Sequence, residues 1–577
     1  MTPPLLRRTA LATLVLLAAC AAGPLQPDRA ARAPTLEGFG ETDWPVSTVS
    51  AAAQHWFTQG VLQAYAFNEA EAVRMFKAAL AQDTDCAMCA WGVAWQLGPN
   101  INDPGRDRVA EALRYLDHAL RHAANATPRE KALMQALALR YGHASVARET
   151  APLADAGCGT RGGDKADPLD VAYASKLRAL ADASPLDGDI VSLYAEAEMI
   201  ATEGDELWHP ETGAPAGRIA EVADRVERAL GAMPRHIGLN HYMIHAVDAR
   251  DVAHRAVAAA DRLGVLAPGS PHLLHMPSHT YVRVGRFGDA ARVNEAAVSA
   301  ELKLFDAQKA QGFEVSKDWR NHDQSFLWYA ALVDGRGDLA VATARDIASR
   351  VGKDKADNWY GGYRLSMPAL ALLRLERWQD LLAEPLSGGG KGMADVLGQH
   401  ARGVALVRTG RLPEAREALL QAQGGAARVV EAYPKDNDHH RGIRGMADAA
   451  VQRLQAEIAF AEGRFDQAIA LQGKAVEAAK RVDDNEPPML AAGARVALGD
   501  MQWRAGRHAD AEASFRADLR AQPGSGWALS GLAQALRSAG RRAEAETLQP
   551  QIDSAWARAD GDLRRRFAPQ RTAITSR

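Results

Sequence analysis

From residue 285 onward, a short pattern recurs six times and restricts the fold more than any other feature. In each copy an arginine follows a glycine, and an alanine stands five positions after that glycine; the glycines are Gly285, Gly335, Gly410, Gly463, Gly506 and Gly540. Glycine tolerates left-handed backbone angles at a turn between helices, and small residues let paired helices approach closely. The pattern predicts helix hairpins. Since no stretch shows convincing β-alternation, we expect an all-α fold.

The spacing of these copies points to a known repeat architecture. The last two glycines are 34 residues apart, which is the period of the tetratricopeptide repeat (TPR). Two stretches match that repeat at its spacings, one with Gly499, Gly506, Ala511, Phe515 and Pro523 and an earlier one with Trp56, Gly60, Ala72, Phe76 and Ala79. Such hairpins bury their apolar faces only against their neighbours and therefore stack. Because the other spacings exceed 34 residues, we predict an irregular, TPR-like α-solenoid.

Changes in composition divide the chain into predicted regions. They are a signal segment (1–19), a tether (20–44), an N-terminal TPR-like region (45–150), a central histidine-rich TPR-like region (168–350) and C-terminal repeats (395–560). Loops are expected at 99–107, 151–168, 205–217, 386–393 and 434–445, where turn residues interrupt the helical periodicity.

The N-terminus indicates export to the cell envelope. Arg7 and Arg8 precede a short apolar run, which ends in Leu17-Ala18-Ala19-Cys20 and resembles a bacterial lipobox. In that interpretation Cys20 carries the lipid and is the only contact with the membrane; the alternative is an ordinary secretory signal. Ala21 is not the aspartate that retains lipoproteins at the inner membrane, which favours a periplasm-facing protein at the outer membrane.

Charge and short motifs exclude several classes of function. The chain has 68 basic and 71 acidic residues without a basic stripe, so no nucleic-acid partner is expected. HExxH, GxSxG and P-loop signatures are absent, which disfavours an enzyme. A repeat solenoid of this kind predicts a binding or scaffold module with a protein or peptide partner.

Histidines are concentrated in one stretch. Seven of the 17 lie between His236 and His279. His241 and His245 share one helix face at i and i+4, and His236 precedes them by five positions. His272, His275 and His279 form a stripe only if their helix is continuous, and Pro277 either kinks it or begins a new one.

The six named histidines, which are His236, His241, His245, His272, His275 and His279, are candidate ligands for a transition metal such as zinc, copper or iron. His322 is a weaker candidate. Two alternatives are a polar groove for a peptide or small ligand, and histidines with only structural roles. A metal-dependent enzyme is the rival hypothesis, in which His241, His245, His275 and His279 leave one coordination position open.

Two cysteines form a second candidate site. Cys86 and Cys89 flank Met88, and two thiols with a thioether suit Cu(I). The favoured alternative is a local disulfide that closes a repeat junction, with Met88 and Trp91 in the core.

These features resemble a widespread family of bacterial TPR proteins, including lipoproteins, over most of residues 40–545. The resemblance is specific because its marks are polar or cysteine positions that the repeat itself does not require. They are Ala66-Phe67-Asn68-Glu69-Ala70-Glu71-Ala72, Cys86-Ala87-Met88-Cys89 with Trp91-Gly92, Gly98-Pro99-Asn100-Ile101-Asn102, Asn240-His241-Tyr242 with His245, His275-Met276-Pro277-Ser278-His279, Asn321-His322 and Glu486-Pro487-Pro488. The resemblance implies a shared groove containing these motifs, and it implies no particular activity or substrate. From Met489 to Ala494 the chain departs from the family, which tends to carry aromatics and a proline there.

Overall fold

The computed structural model describes residues 25–102, 105–149, 166–202, 206–210, 212–315, 318–353, 355–386, 392–483, 487–489 and 493–567. The predicted signal segment, Cys20 and most of the loops at 151–168 and 386–393 lie outside these residues. Regular structure within them is helical throughout, and extended residues pair only in an isolated bridge between Trp208 and Pro215. The all-α prediction is confirmed.

The described residues divide into two compact units. The first comprises the chain up to Met276 together with Ser299–Asp318. Its helices are α1 (Ala51–Tyr65), α2 (Glu69–Gln82), α3 (Ala87–Gln96), α4 (Val109–Arg121), α5 (Pro128–Arg140), α6 (Pro168–Ala183), α7 (Gly188–Ala201), α8 (Ile219–Ala232), α9 (Ile237–Ala246), α10 (Val257–Leu266) and α11 (Pro271–His275). Short 3-10 helices occupy Ala123–Asn125, Ala144–Val146 and Ala253–Ala256.

The second unit comprises Pro277–Val298 and the chain from Trp319 onward. Its helices are α12 (Pro277–Arg283), α13 (Phe287–Ala310, whose end belongs to the first unit), α14 (Arg320–Val333), α15 (Gly337–Ser349), α16 (Trp359–Arg374), α17 (Trp378–Ala383), α18 (Met393–Arg408), α19 (Leu412–Ala432), α20 (Asp438–Ala461), α21 (Phe465–Asp483), α22 (Ala494–Arg504), α23 (His508–Ala521), α24 (Gly526–Ser538), α25 (Arg542–Thr547), α26 (Gln549–Ala555) and α27 (Gly561–Phe567). Consecutive helices pack against one another as hairpins in both units.

The six repeated glycines all end a helix of the second unit. Each has a positive φ between 77° and 82°. The N–H of the following arginine donates to a carbonyl five residues earlier at 2.8–2.9 Å, which is the hydrogen bond of a Schellman cap. The alanine five positions after each glycine is fully buried in the next helix. The predicted hairpins and the reason for their glycines are therefore confirmed.

The two stretches that match the TPR pattern pack in the same way. A Cβ atom added at Gly60 or Gly92 would lie 2.6 Å from the ring of Phe76. In the second unit, a Cβ added at Gly499 or Gly531 would lie within 2.7 Å of the Phe515 ring. A large ring on one helix therefore occupies the space left by glycines on its two neighbours, which explains the close helix packing of the repeat.

Two local predictions need correction. The expected loop at 434–445 ends early, because Asn437 accepts a hydrogen bond from the N–H of His440 and caps α20, which begins at Asp438. At Pro277 a new helix begins, as one alternative proposed. His272 and His275 lie before it on the separate short helix α11, which Ser270 caps, so the three histidines do not form one continuous stripe.

Candidate metal centre

Three of the predicted ligands meet inside the first unit. His241 and His245 stand one turn apart on α9, and His272 projects from the first turn of α11. One ring nitrogen from each residue lies within 4.8 Å of the other two. His241 and His272 are buried, and His245 is half-buried, so the site is enclosed except on the His245 side.

A backbone carbonyl fixes the orientation of the His241 ring. The Nδ1 atom of His241 lies 2.7 Å from the carbonyl oxygen of Tyr65, at the end of α1. Because a carbonyl oxygen only accepts hydrogen bonds, Nδ1 must carry the proton, and the Nε2 atom of the neutral ring keeps its lone pair. Gly238 permits this contact, since a Cβ there would lie 2.7 Å from the Tyr65 ring. An imidazole held by its second nitrogen in this way is typical of metal ligands.

Two of the three nitrogen separations are close to those of a bound metal. The Nε2 atom of His241 lies 3.0 Å from Nε2 of His245 and 3.1 Å from Nε2 of His272. Metal–nitrogen bonds of about 2.0–2.1 Å at tetrahedral angles place ligand nitrogens about 3.3 Å apart. The three rings can therefore hold one tetrahedral ion with small shifts of their side chains, and the fourth coordination position remains for water or another ligand.

Phe67 forms the apolar wall of this site. Its ring centroid lies 4.5 Å from that of His241, 5.6 Å from His245 and 5.1 Å from His272. Phe67 occupies the turn between α1 and α2 at φ 50°, a left-handed angle that is rare for a bulky side chain. The following N–H, from Asn68, donates to the carbonyl of Gln63 at 3.0 Å, so this turn has the cap of the glycine turns in the second unit.

His236 is placed away from these three residues. Its Nδ1 atom accepts a hydrogen bond from the N–H of Leu239 and caps α9, and its Nε2 atom lies 3.2 Å from a carboxylate oxygen of Asp189. The same carboxylate accepts a bond from the Tyr65 hydroxyl at 2.7 Å. Both nitrogens of His236 thus have partners, which gives this histidine a structural role beside the site.

The remaining candidates are His275, His279 and His322. His275 is buried at the end of α11, with its ring 6.3 Å from that of His272. His279 and His322 belong to the second unit, where their rings lie 5.9 Å apart and both contact Phe326. Burial, followed by the charge of His279, lowers the pKa of the His322 ring to about 3, so this ring is neutral at pH 7.

Cys86 and Cys89 are joined by a disulfide in the first turn of α3. The Sγ atom of Cys86 also accepts a hydrogen bond from the N–H of Cys89 at 3.1 Å. Met88 and Trp91 are buried beside them. In this oxidised form the pair offers no thiolate to a metal ion.

The sequence analysis missed the buried carboxyl of Glu196 on α7. Burial is the main effect and raises the pKa of Glu196 to about 7, although the charge of Arg140 and hydrogen bonds from Tyr242 and Trp95 act in the opposite direction. Tyr242 follows the candidate ligand His241 on α9, and its ring stacks on the His241 ring. The sequence carries no local signal for this carboxyl, because its partners are far away along the chain.

Comparisons with known proteins do not define a family for this chain. No protein-family model matches the chain. Over 387 residues it is 27% identical to cellulose synthase operon protein C of Xanthomonas axonopodis pv. citri (strain 306). This match covers 63% of the chain, and the chain spans only 23% of that relative.

Three solved structures are similar at low identity. The APC/C hetero-tetramer Cut9-Hcn1 is 13% identical with a TM-score of 0.21, and the match covers 90% of this chain and 97% of that one. The TPR domain of P58(IPK) is 10% identical with a TM-score of 0.20, and the coverages are 85% and 99%. Yeast Tom70 is 12% identical with a TM-score of 0.24, and the coverages are 88% and 86%. The assignment of the fold therefore rests on the helices and turns of this chain.

Among the helices of the described residues, none is long and apolar enough to cross a membrane.

Proposed function

We propose that this protein is a TPR-like scaffold that binds a protein or peptide partner and holds a transition metal ion between His241, His245 and His272. The observation that carries the proposal is the convergence of the three ring nitrogens, with the His241 ring oriented by the Tyr65 carbonyl. Three neutral imidazoles suit zinc best, and copper or iron are the alternatives.

The metal site is tested by elemental analysis of residues 21–577, purified without a histidine tag. We expect about one equivalent of zinc, and replacing it by Co²⁺ should give the visible absorption of a tetrahedral complex. His245→Ala should lower the affinity for the metal more than 100-fold, because loss of a ligand exceeds the 10–100-fold effect of a second-shell change. His245 is the ligand of choice because it is half-buried and its loss perturbs the fold least.

His236→Ala is the matched control. His236 lies at the opposite end of α9 from His245, and its ring contacts Asp189. This variant should keep the metal. Retention of the metal in a folded His245→Ala protein, or absence of any metal after reconstitution, would overturn the proposal.

A cleft of about 1240 Å³ in the first unit supports the partner-binding role. Its wall carries Arg129, Asp187 and Asp189, and Leu186 and Val265 on its lining are 63% and 79% exposed. Exposed apolar side chains with polar groups around them are typical of a surface that binds a protein or peptide.

The cleft is tested with a photo-crosslinking amino acid at position 186 in living cells. Leu420, which is also 63% exposed but lies in the second unit, provides the matched control position. A defined crosslinked partner at 186 that is missing at 420 supports the role of the cleft. Equal labelling at both positions would contradict it.

We further propose that Cys20 is lipidated and anchors the protein, facing the periplasm, at the outer membrane. This proposal rests on Leu17-Ala18-Ala19-Cys20 and on Ala21. A Cys20→Ala variant should lose incorporation of labelled palmitate and appear in the soluble periplasmic fraction. Unchanged membrane association of the variant would contradict the anchor.

A metal-dependent hydrolase is the second candidate function. It is favoured by the number of ligands, because three histidines and one open position are typical of catalytic zinc, whereas structural zinc sites have four protein ligands. Turnover of an activated ester by the zinc-loaded protein, lost in His245→Ala, would support it. A metal-loaded protein without turnover would leave the scaffold function alone.

A further inference from the structure

The second unit contains a small charged cavity of about 100 Å³, separate from everything described above. Arg374, Arg408 and Arg453 line it together with aromatic residues, among them Trp527 and Phe515. Arginines at the wall of an enclosed space are costly unless an anion compensates them.

Arg408 is fully engaged by protein carboxylates. It contacts both carboxylate oxygens of Glu457 at 2.8 and 3.1 Å, and one oxygen of Asp500 at 3.5 Å. Asp500 also lies 3.5 Å from Arg504. These carboxylates therefore compensate Arg408.

Arg374 and Arg453 lack such partners in the part of the chain that the structure describes. Their Nε atoms are buried without a hydrogen bond, and within the described residues neither guanidinium donates to a carboxylate. The Arg374 guanidinium instead stacks over Trp527, 4.5 Å from the ring centroid. Burial lowers the pKa of Arg374 to about 10 despite the opposing charge of Asp518, so its positive charge is incompletely compensated.

Gly493 keeps the space between these two arginines open. A Cβ atom added there would lie 3.3 Å from Nη1 of Arg374 and 3.4 Å from Nη1 of Arg453. Both guanidiniums therefore border the same point, which no side chain of the described residues fills. Its φ of 175° is available to any residue, so the backbone conformation does not require glycine.

We propose that Arg374 and Arg453 bind a carboxylate in this cavity, beside Gly493. The lining holds three arginines and three acidic residues (Glu376, Glu457 and Asp500), so a monoanion suits it better than a phosphate dianion. Planar carboxylates also match the paired donors of arginine, and the aromatic wall accommodates a short apolar body. The chemistry allows either a free small acid or the C-terminus of a peptide.

The test is calorimetric titration of the full chain with propionate and with inorganic phosphate at constant ionic strength. Saturable 1:1 binding of propionate, stronger than that of phosphate, is expected. Gly493→Ala should weaken propionate binding at least about tenfold, because the methyl group occupies the space between the guanidiniums while both charges remain. Arg374→Lys and Arg453→Lys should weaken it similarly, because lysine cannot bind the two oxygens in a bidentate manner.

Gly473→Ala is the matched control, since a Cβ at Gly473 meets no atom within 4 Å. It should bind propionate as the unmodified chain does. Failure to bind any carboxylate, tighter binding of phosphate, or equal binding by Gly493→Ala would each overturn the proposal. A short peptide with a free C-terminus that displaces propionate, when its C-terminal amide does not, would identify a chain end as the source. Without such displacement the source is a free acid.

Discussion

Both units use the same helix cap, and most of these caps carry glycine, as at Gly142 and Gly312 in the first unit. In the second unit, six caps place glycine at a φ near 80°. In the first unit, the α1–α2 cap places Phe67 at φ 50°, and its ring contacts the three histidines of the candidate metal centre. A left-handed angle costs a residue with a side chain about 1–2 kcal/mol. At most of these caps glycine avoids this cost, whereas at the α1–α2 cap a bulky side chain lies beside the candidate metal centre.

Glu376 is a second residue other than glycine that occupies a left-handed helix cap. Among the described residues, only Phe67 and Glu376 have a positive φ without being glycine. Glu376 caps α16, since the N–H of Arg377 donates to the carbonyl of Leu372 at 3.0 Å. It lines the cavity of Arg374 and Arg453. Both exceptions to the glycine rule thus lie at the two sites proposed above.

The largest expected effect comes from shortening Phe67. Phe67→Ala should destabilise the protein by about 4 kcal/mol, because it empties a fully buried position. Phe67→Gly should be more stable than Phe67→Ala by about 1 kcal/mol, because glycine adopts a positive φ without strain. This order is the reverse of that in a helix interior. Urea unfolding followed by circular dichroism measures both.

Removal of the Phe67 ring should also weaken Co²⁺ binding about tenfold in a folded Phe67→Gly protein, as expected for the shell around a metal. If the alanine variant proved as stable as the glycine variant, Phe67 would not hold a left-handed conformation in solution. The comparison between the two kinds of cap would then fail.

The second prediction concerns the buried carboxyl of Glu196, which bonds to Tyr242 next to the candidate ligand His241. With its pKa raised from 4.5 to about 7, the folded state holds the Glu196 proton in a range where the unfolded chain releases it. The free energy of unfolding should therefore fall by up to about 3 kcal/mol as pH rises from 4.5 to 7. Glu196→Gln should remove this fall, so that the variant is the more stable protein at pH 8.

Thermal unfolding at pH 5 and pH 8 measures the effect. Glu227→Gln is the control, because the Glu227 side chain is 53% exposed in the same unit. This control should keep the pH dependence of the unmodified chain. The same slope in Glu196→Gln would mean that other groups cause it.

The third prediction compares the cost of alanine at two glycine caps, Gly285 and Gly410, which have nearly the same φ. A Cβ at Gly285 would lie 2.1 Å from the carbonyl oxygen of Pro523, whereas a Cβ at Gly410 meets nothing within 4 Å. Gly410→Ala should cost about 1 kcal/mol, from the left-handed angle alone. Gly285→Ala should cost about 3 kcal/mol, because backbone overlap adds to that angle. Chemical unfolding compares them, and equal losses would contradict the packing at Gly285.

The caps also show how far the sequence predicts this molecule. The glycine pattern alone correctly predicts the hairpins of the second unit, because each cap is a local structure. Phe67 could have been found by the same pattern, since Ala72 follows it by the five positions that separate each glycine from its alanine. The sequence could not show that His272 joins His241 and His245, or that His236 lies apart from them. The His241 ring is oriented by the carbonyl of Tyr65, which is 176 residues away along the chain. Local spacing in the sequence does not predict such a contact.

The smallest effect on stability is expected at Glu376, which both caps a helix and lines the proposed carboxylate site. Glu376→Gly should change the free energy of unfolding by less than about 1 kcal/mol, since relief of the left-handed angle offsets the lost charge. The variant removes one negative charge from the cavity of Arg374 and Arg453, so propionate should bind several-fold more tightly. Gly410→Ala, a cap of the same unit with no cavity beside it, should leave propionate binding unchanged. Weaker binding in Glu376→Gly would mean that Glu376 positions the arginines, and its strained conformation would then be explained by that role.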